Sequence, residues 1–137
     1  MRWRAAIAFF VMGALLLAAC SDKKKDEGST QACVQTPAPI ADPKFPAGFP
    51  SISDVTWTAS QQAGPSQVVS GYTGDALGDL FNEMKERFAE GGYSVARSER
   101  DPHDAEVAFT SEKYTGQVRL AEECQGRQSV VITIRPK

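Results

Sequence analysis

The chain has 137 residues, of which 42% are hydrophobic and 23% are charged. These are ordinary values for a folded protein, and they exclude both a fully disordered chain and a multi-span membrane protein. The formal net charge is −2, and without Arg2 and Arg4, which lie in the N-terminal segment, 13 basic residues remain against 17 acidic ones, a net charge of −4. We expect no nucleic-acid partner for so acidic a chain.

The first twenty residues have the regions of an export signal in their usual order. Arg2 and Arg4 precede an uncharged apolar run that begins at Ala5. From Ala5 to Cys20 there are sixteen residues, fewer than the roughly 18–20 that span a bilayer. The pattern therefore predicts a signal peptide, with an uncleaved transmembrane helix as the alternative.

The end of this segment, Leu17-Ala18-Ala19-Cys20, resembles the lipobox of bacterial lipoproteins. The resemblance implies that residues 1–19 are removed and that Cys20 becomes the acylated first residue, held at a membrane by two or three acyl chains. It also implies a lipid-anchored location in the cell envelope. Because Ser21 rather than Asp follows the cysteine, we expect the outer membrane, facing the periplasm, if the source is Gram-negative.

Residues 20–50 are predicted to form the acylated N-terminus and a tether. The stretch after Cys20 is polar and holds five of the eight prolines of the chain. Phe45 and Phe49 are unusual in a tether. We expect them to fold back onto an exposed edge of the domain, with partner binding as the alternative.

Residues 51–137 are predicted to form the globular domain. Its first strand is indicated by alternation that places Val55, Trp57 and Ala59 on one face. A turn at Gly64-Pro65 then leads into a second strand over residues 67–72, which predicts a hairpin.

The next segment changes to a helical period. Its apolar residues recur at steps of three and four, which gathers them on one stripe: Leu77, Leu80, Phe81, Met84 and Phe88. We expect Thr73 to cap the N-terminus of this helix, with Asp75 in its first turn, and Gly91-Gly92 to end it in a left-handed conformation.

Four further strands follow the helix, over residues 93–97, 106–110, 117–121 and 129–134. The order ββαββββ with short turns predicts an α+β fold of two layers, an antiparallel sheet of about six strands with one amphipathic helix packed on one face. The layout also resembles the small, uncharacterised one-helix, one-sheet domains carried by many bacterial lipoproteins. That resemblance is architectural and implies no catalytic residue.

Alternation assigns the strand residues to two faces. The apolar set is expected to face the helix: Val55, Trp57, Val95, Val107, Phe109, Val118, Leu120, Val130, Ile132 and Ile134. The opposite face is expected to be flat and polar, suited to a protein or polysaccharide partner, and to carry Thr56, Thr58, Thr110, Arg119 and Thr133.

Three cysteines are present, and acylation of Cys20 would leave Cys33 and Cys124. An even pair in an exported chain predicts a disulfide, which would pin the Pro-rich segment against the sheet. Two free thiols are the alternative.

The sequence predicts no catalytic residue, no metal ligand and no cofactor. The single histidine, His103, lies in Asp101-Pro102-His103-Asp104, which is typical of a turn, and no second His or Cys cluster completes a metal site. Glu122 and Glu123 are consecutive on a strand end, so their side chains point to opposite faces and cannot share a proton. No nucleophile elbow, phosphate-binding loop or Cys-x-x-Cys motif occurs.

Two functional classes remain. The first is a membrane-anchored envelope lipoprotein that acts without catalysis, as an interaction or structural module, through the polar face or an edge of the sheet. The alternative is a small envelope enzyme or a ligand-binding domain, such as one with an apolar ligand between sheet and helix, whose site is not visible as a motif.

Overall fold

The computed structural model of the protein describes residues 31–137. The signal peptide, the lipobox and Cys20 lie outside the described residues. The described part forms six strands and one helix, in the predicted order: β1 (Thr56–Ala63), β2 (Ser66–Thr73), α1 (Leu77–Glu90), β3 (Ser94–Arg100), β4 (Asp104–Thr110), β5 (Tyr114–Cys124) and β6 (Arg127–Pro136).

The six strands form one antiparallel sheet with the order β1-β2-β6-β5-β4-β3. Strands β3 to β6 follow one another as a meander, and the last strand of the chain, β6, pairs with β2 of the first hairpin. The predicted α+β fold, with a helix packed on an antiparallel sheet, is therefore confirmed. Strands β1 and β3 form the two edges.

Helix α1 covers only part of the sheet, because it packs against β3, β4 and β5. Four residues of the predicted stripe are buried in this contact, Leu80, Phe81, Met84 and Phe88. Opposite them lie buried strand residues such as Val107, Val118 and Ile132. The helix stripe and the helix-facing strand residues thus form one core, as the periodicities predict.

The C-terminus of α1 is closed by the predicted glycine pair. Gly92 has a φ of 78°, and its N–H donates to the carbonyl of Ala89 at 3.2 Å. The N–H of Tyr93 donates to the carbonyl of Phe88 at 2.9 Å, and the two rings pack edge to face. This is a Schellman motif with its usual hydrophobic contact.

The predicted N-cap of α1 is wrong. The N-cap residue is Ala76, which makes no side-chain capping bond, and the acidic residue in the first turn is Asp79. Thr73 is instead the buried last residue of β2, and its hydroxyl accepts a hydrogen bond from the N–H of Asp75 at 3.2 Å. Because the Thr73 hydroxyl forms its hydrogen bond within this turn at the end of β2, it does not cap α1.

Residues 40–55 cover part of the sheet that the helix leaves uncovered. Val55 and Trp57 pack directly over Gly71 of β2, where a Cβ atom would lie 2.9 Å from the Trp57 ring. Phe45 meets the Trp57 ring edge to face at 5.1 Å and stacks on Phe49 at 4.8 Å. The part of the tether nearest the domain is therefore packed on the core.

Phe49 joins an aromatic cluster at the C-terminal end of α1. Its ring centroid lies 5.6 to 5.9 Å from those of Phe88, Tyr93 and Phe109. Burial raises the pKa of Tyr93, and the neighbouring Tyr114 raises it further, while a hydrogen bond with Ser111 partly offsets both. The two phenylalanines fold back, as expected: Phe45 packs on Trp57 of edge strand β1, whereas Phe49 packs on the core beside the helix.

A β-bulge in β1 changes which of its residues share a face, so the predicted alternation is wrong after Trp57. Trp57 lies opposite Gly71, but the register shifts before Ala59, which lies opposite Ser70, while Ser60 lies opposite Val69. Ser60 rather than Ala59 therefore shares the face of Trp57. The Ser60 hydroxyl donates to the carbonyl of Pro43 at 2.7 Å, so the bulge ties the N-terminal segment to the edge strand.

The structure joins Cys33 and Cys124 in a disulfide, the pairing that the cysteine count predicts. Their Cα atoms are 5.2 Å apart, within the normal range for such a bond. The N–H of Gln125 donates to the carbonyl of Gln31 at 2.8 Å beside it. The N-terminal segment is thus fastened to the hairpin between β5 and β6.

In residues 31–137, no helix has the length and apolar character needed to cross a membrane.

Candidate functional site on the open face of the sheet

The face of the sheet away from α1, called the open face below, is covered by no other element of the described chain. Strand register identifies its residues, because neighbours across a ladder share a face. One row runs across five strands and consists of Glu99, Glu106, Arg119, Val131 and Ser70. The same register places the predicted residues Thr56, Thr110, Arg119 and Thr133 on this face, whereas Thr58 lies in the β1 bulge.

A depression of about 310 Å³ lies in the open face, centred on Ala121 of β5. Its open-face lining follows from register: Ala121 lies directly between Asp104 of β4 and Ser129 of β6, and Arg119 is two residues away on its own strand. Glu106 and Val131 complete the rim as the two neighbours of Arg119. A methyl group surrounded by five longer side chains leaves a hollow.

One carboxylate on the rim, that of Glu106, already has a cationic partner. The Arg97 guanidinium of edge strand β3 donates to Glu106 at 2.8 Å and lies 3.9 Å from Glu99. Its hydrogen bond with Glu106, followed by the nearby charge of Glu99, raises the pKa of Arg97. Of the two carboxylates that Arg97 contacts, only Glu106 lines the depression, and it does so as part of an ion pair.

The remaining two charged side chains on the rim, Arg119 and Asp104, have opposite charges. Neither the Arg119 guanidinium nor the Asp104 carboxylate makes a side-chain hydrogen bond or ion pair with another residue of 31–137. They are diagonal neighbours across β4 and β5, a relation that places Cβ atoms about 7–8 Å apart. Within the described part of the chain, the depression thus has one cation and one anion without an ion-pair partner, on either side of a small apolar floor.

The N-terminal segment reaches the margin of the open face through Arg127. This side chain is only 11% exposed, and its guanidinium lies 5.3 Å from the ring of Tyr72, which is the neighbour of Ser129 on β2. It donates to the carbonyl of Gln35 at 2.7 Å and pairs with Glu123 at 3.0 Å. Sequence reasoning missed this contact, since nothing in the spacing of Arg127 indicates a partner 92 residues away.

His103 and Glu122 form a second polar contact, outside the depression. The Nδ1 atom of His103 lies 2.8 Å from a carboxylate oxygen of Glu122, whose side chain is 14% exposed, while the histidine is 52% exposed. Glu122 and Glu123 take different partners, so they do not form a carboxylate pair. His103 lies in the turn between β3 and β4, as its sequence context predicts, but its carboxylate partner on β5 was not predicted.

A histidine oriented by a carboxylate is one component of acid–base catalysis. Among residues 31–137, no hydroxyl or thiol is hydrogen-bonded to the His103 ring. The same part of the chain contains no group of three or more His, Cys, Asp or Glu residues that could hold a metal ion.

The chain was also compared with known proteins. No protein-family model matches it, and no curated protein matches it significantly.

Proposed function

We propose that the protein is a lipid-anchored bacterial envelope protein that acts by contact rather than catalysis, through the open face of its sheet. The observation that carries this proposal is the difference between the two faces. One face is packed against α1 and against the aromatic side chains of Phe45, Phe49 and Trp57, whereas the other carries mainly charged, polar and small side chains across six strands. The partner is an envelope protein or a polysaccharide.

The anchor part of the proposal rests on the lipobox resemblance at Cys20. With the disulfide at Cys33, only residues 21–32 would separate the acylated cysteine from the fastened segment. A flexible chain of this length has a root-mean-square reach of about 20 Å. The open face would then operate close to the membrane surface, and its partner is expected there.

A second candidate, a small envelope enzyme, draws on the contact between His103 and Glu122. The replacement His103→Ala distinguishes the enzyme candidate from the contact proposal. Under the contact proposal, this variant keeps full partner binding because the imidazole lies outside the depression. Loss of the biological activity with the fold preserved would favour the enzyme.

Site-specific photo-crosslinking in intact cells tests the contact proposal. A photoreactive residue replaces Thr133, on the open face, and the matched control replaces Glu86, an exposed residue of α1. We expect a discrete adduct from position 133 and none from position 86. Adducts from position 86 alone, or from neither position, would contradict the proposal. The mass of the N-terminal peptide, with Cys20→Ala as control, tests acylation separately.

A further inference from the structure

We propose that the depression at Ala121 binds the zwitterionic head group of an amino acid, an ammonium and a carboxylate carried on one carbon. This inference goes beyond the proposed function, since it adds a small-ligand site to one part of the open face. It assigns the carboxylate of the ligand to Arg119 and the ammonium to Asp104.

The charges of the lining side chains favour a zwitterionic ligand over a purely anionic or a purely cationic one. Among the side chains that line the depression, Glu106 is paired with Arg97, whereas Arg119 and Asp104 have no ion-pair partner among residues 31–137 and carry opposite charges. A purely anionic ligand would be attracted by Arg119 and repelled by Asp104, and a purely cationic ligand the reverse. A zwitterion satisfies both groups at once.

The donor and acceptor types agree with this assignment. The guanidinium of Arg119 is a planar fork that binds a carboxylate through two parallel hydrogen bonds. The carboxylate of Asp104 can accept hydrogen bonds from an ammonium. Because both side chains are exposed and diagonal across the ladder, their charged ends can approach a ligand over Ala121 from two sides.

The floor and the far wall define the size of the ligand. Ala121 presents only a methyl group, and Ser129, whose hydroxyl already donates to the Ala121 carbonyl at 3.2 Å, closes the side toward β6. The volume of about 310 Å³ lies at the lower end of the range for ligand sites. A head group with a short side chain is accommodated, and a longer side chain would extend over Val131.

Ligand-observed NMR with the detergent-solubilised full chain tests the inference. The probes are alanine, N-acetylalanine, which lacks the ammonium, and alaninamide, which lacks the carboxylate. We expect saturable binding of alanine, with each blocked probe at least about tenfold weaker, since each loses one charged contact. Equal binding of the three probes, or no saturable binding of alanine, would overturn the proposal.

Two variants localise the binding. Ala121→Leu fills the floor of the depression and is expected to abolish alanine binding, whereas Ala108→Leu, a matched change elsewhere on the open face, leaves it unchanged. Arg119→Gln keeps the shape and is expected to weaken alanine by at least about tenfold but alaninamide by less than about twofold. Alanine binding that survives both Ala121→Leu and Arg119→Gln would place the ligand elsewhere and refute the assignment.

These outcomes separate the inference from the proposed function. Photo-crosslinks from position 133 together with no alanine binding would refute the head-group site and leave the contact function in place. Alanine binding without a crosslink would refute the contact function and support a ligand-binding domain.

Discussion

The replacement Phe49→Ala is expected to destabilise the domain substantially, although Phe49 lies in the Pro-rich segment before the first strand. Its ring is partly buried and lies within 5.9 Å, centroid to centroid, of three core aromatic rings, and 4.8 Å from Phe45. Fully buried Phe→Ala changes cost about 3–5 kcal/mol. Because Phe49 keeps some exposure, we expect a loss of about 2–4 kcal/mol in the free energy of unfolding.

Urea unfolding followed by the fluorescence of Trp57 measures this loss. Trp57 touches Phe45, so it reports on the packing of the segment as well as on the sheet. The control is Val34→Ala in the same segment, where the side chain is 86% exposed and the change should stay within about 0.5 kcal/mol. A Phe49→Ala variant as stable as the control would show that the segment is a free tether and that the packing of residues 40–55 is wrong.

Three further predictions concern the core, the disulfide and alkaline pH. Leu80→Ala, at a side chain that is 1% exposed, is expected to cost about 2–5 kcal/mol, and an unchanged urea midpoint would contradict the buried stripe. Reduction of the bond between Cys33 and Cys124 is expected to lower the free energy of unfolding by at most about 4.5 kcal/mol. Intact mass after alkylation checks that the bond is present, since labelling of both thiols without reductant would exclude it. Because the folded state raises the pKa of Tyr93, the stability it contributes is present below about pH 10 and lost as the pH rises through the raised value. As the pH rises from about 9 to about 11, the free energy of unfolding of Tyr93→Phe should therefore fall less than that of the wild type. Equal falls in the two proteins would refute the raised pKa of Tyr93.

Periodicity was sufficient to predict the elements and the core. The helix stripe and the alternating strands place their apolar residues by a local rule, because burial of one face requires the pattern. Residues such as Leu80, Val118 and Ile132 are accordingly buried where the pattern predicts them. The same rule fails where one extra residue enters a strand, as in the β1 bulge, since the faces of Ala59 and Ser60 then exchange.

Contacts between distant segments could not be predicted in the same way. The packing of Phe49 depends on how much of the sheet a 14-residue helix leaves uncovered, which is a property of the assembled layers. The pairing of His103 with Glu122 depends on the register of β4 against β5. The hollow at Ala121 depends on two registers at once, because its neighbours Asp104 and Ser129 come from different strands.

The most direct test of the contact proposal is the accessibility of the open face in the native envelope. A cysteine replaces Thr133 on the open face or Glu86 on α1, and each is labelled with a maleimide small enough to enter the periplasm, first in intact cells and then after purification. The account predicts that position 133 is labelled at least about fivefold more slowly in cells than in the purified protein, because the partner covers it. Position 86 is predicted to react at the same rate in both. Equal labelling of position 133 in the two states would contradict the claim that the protein works through this face.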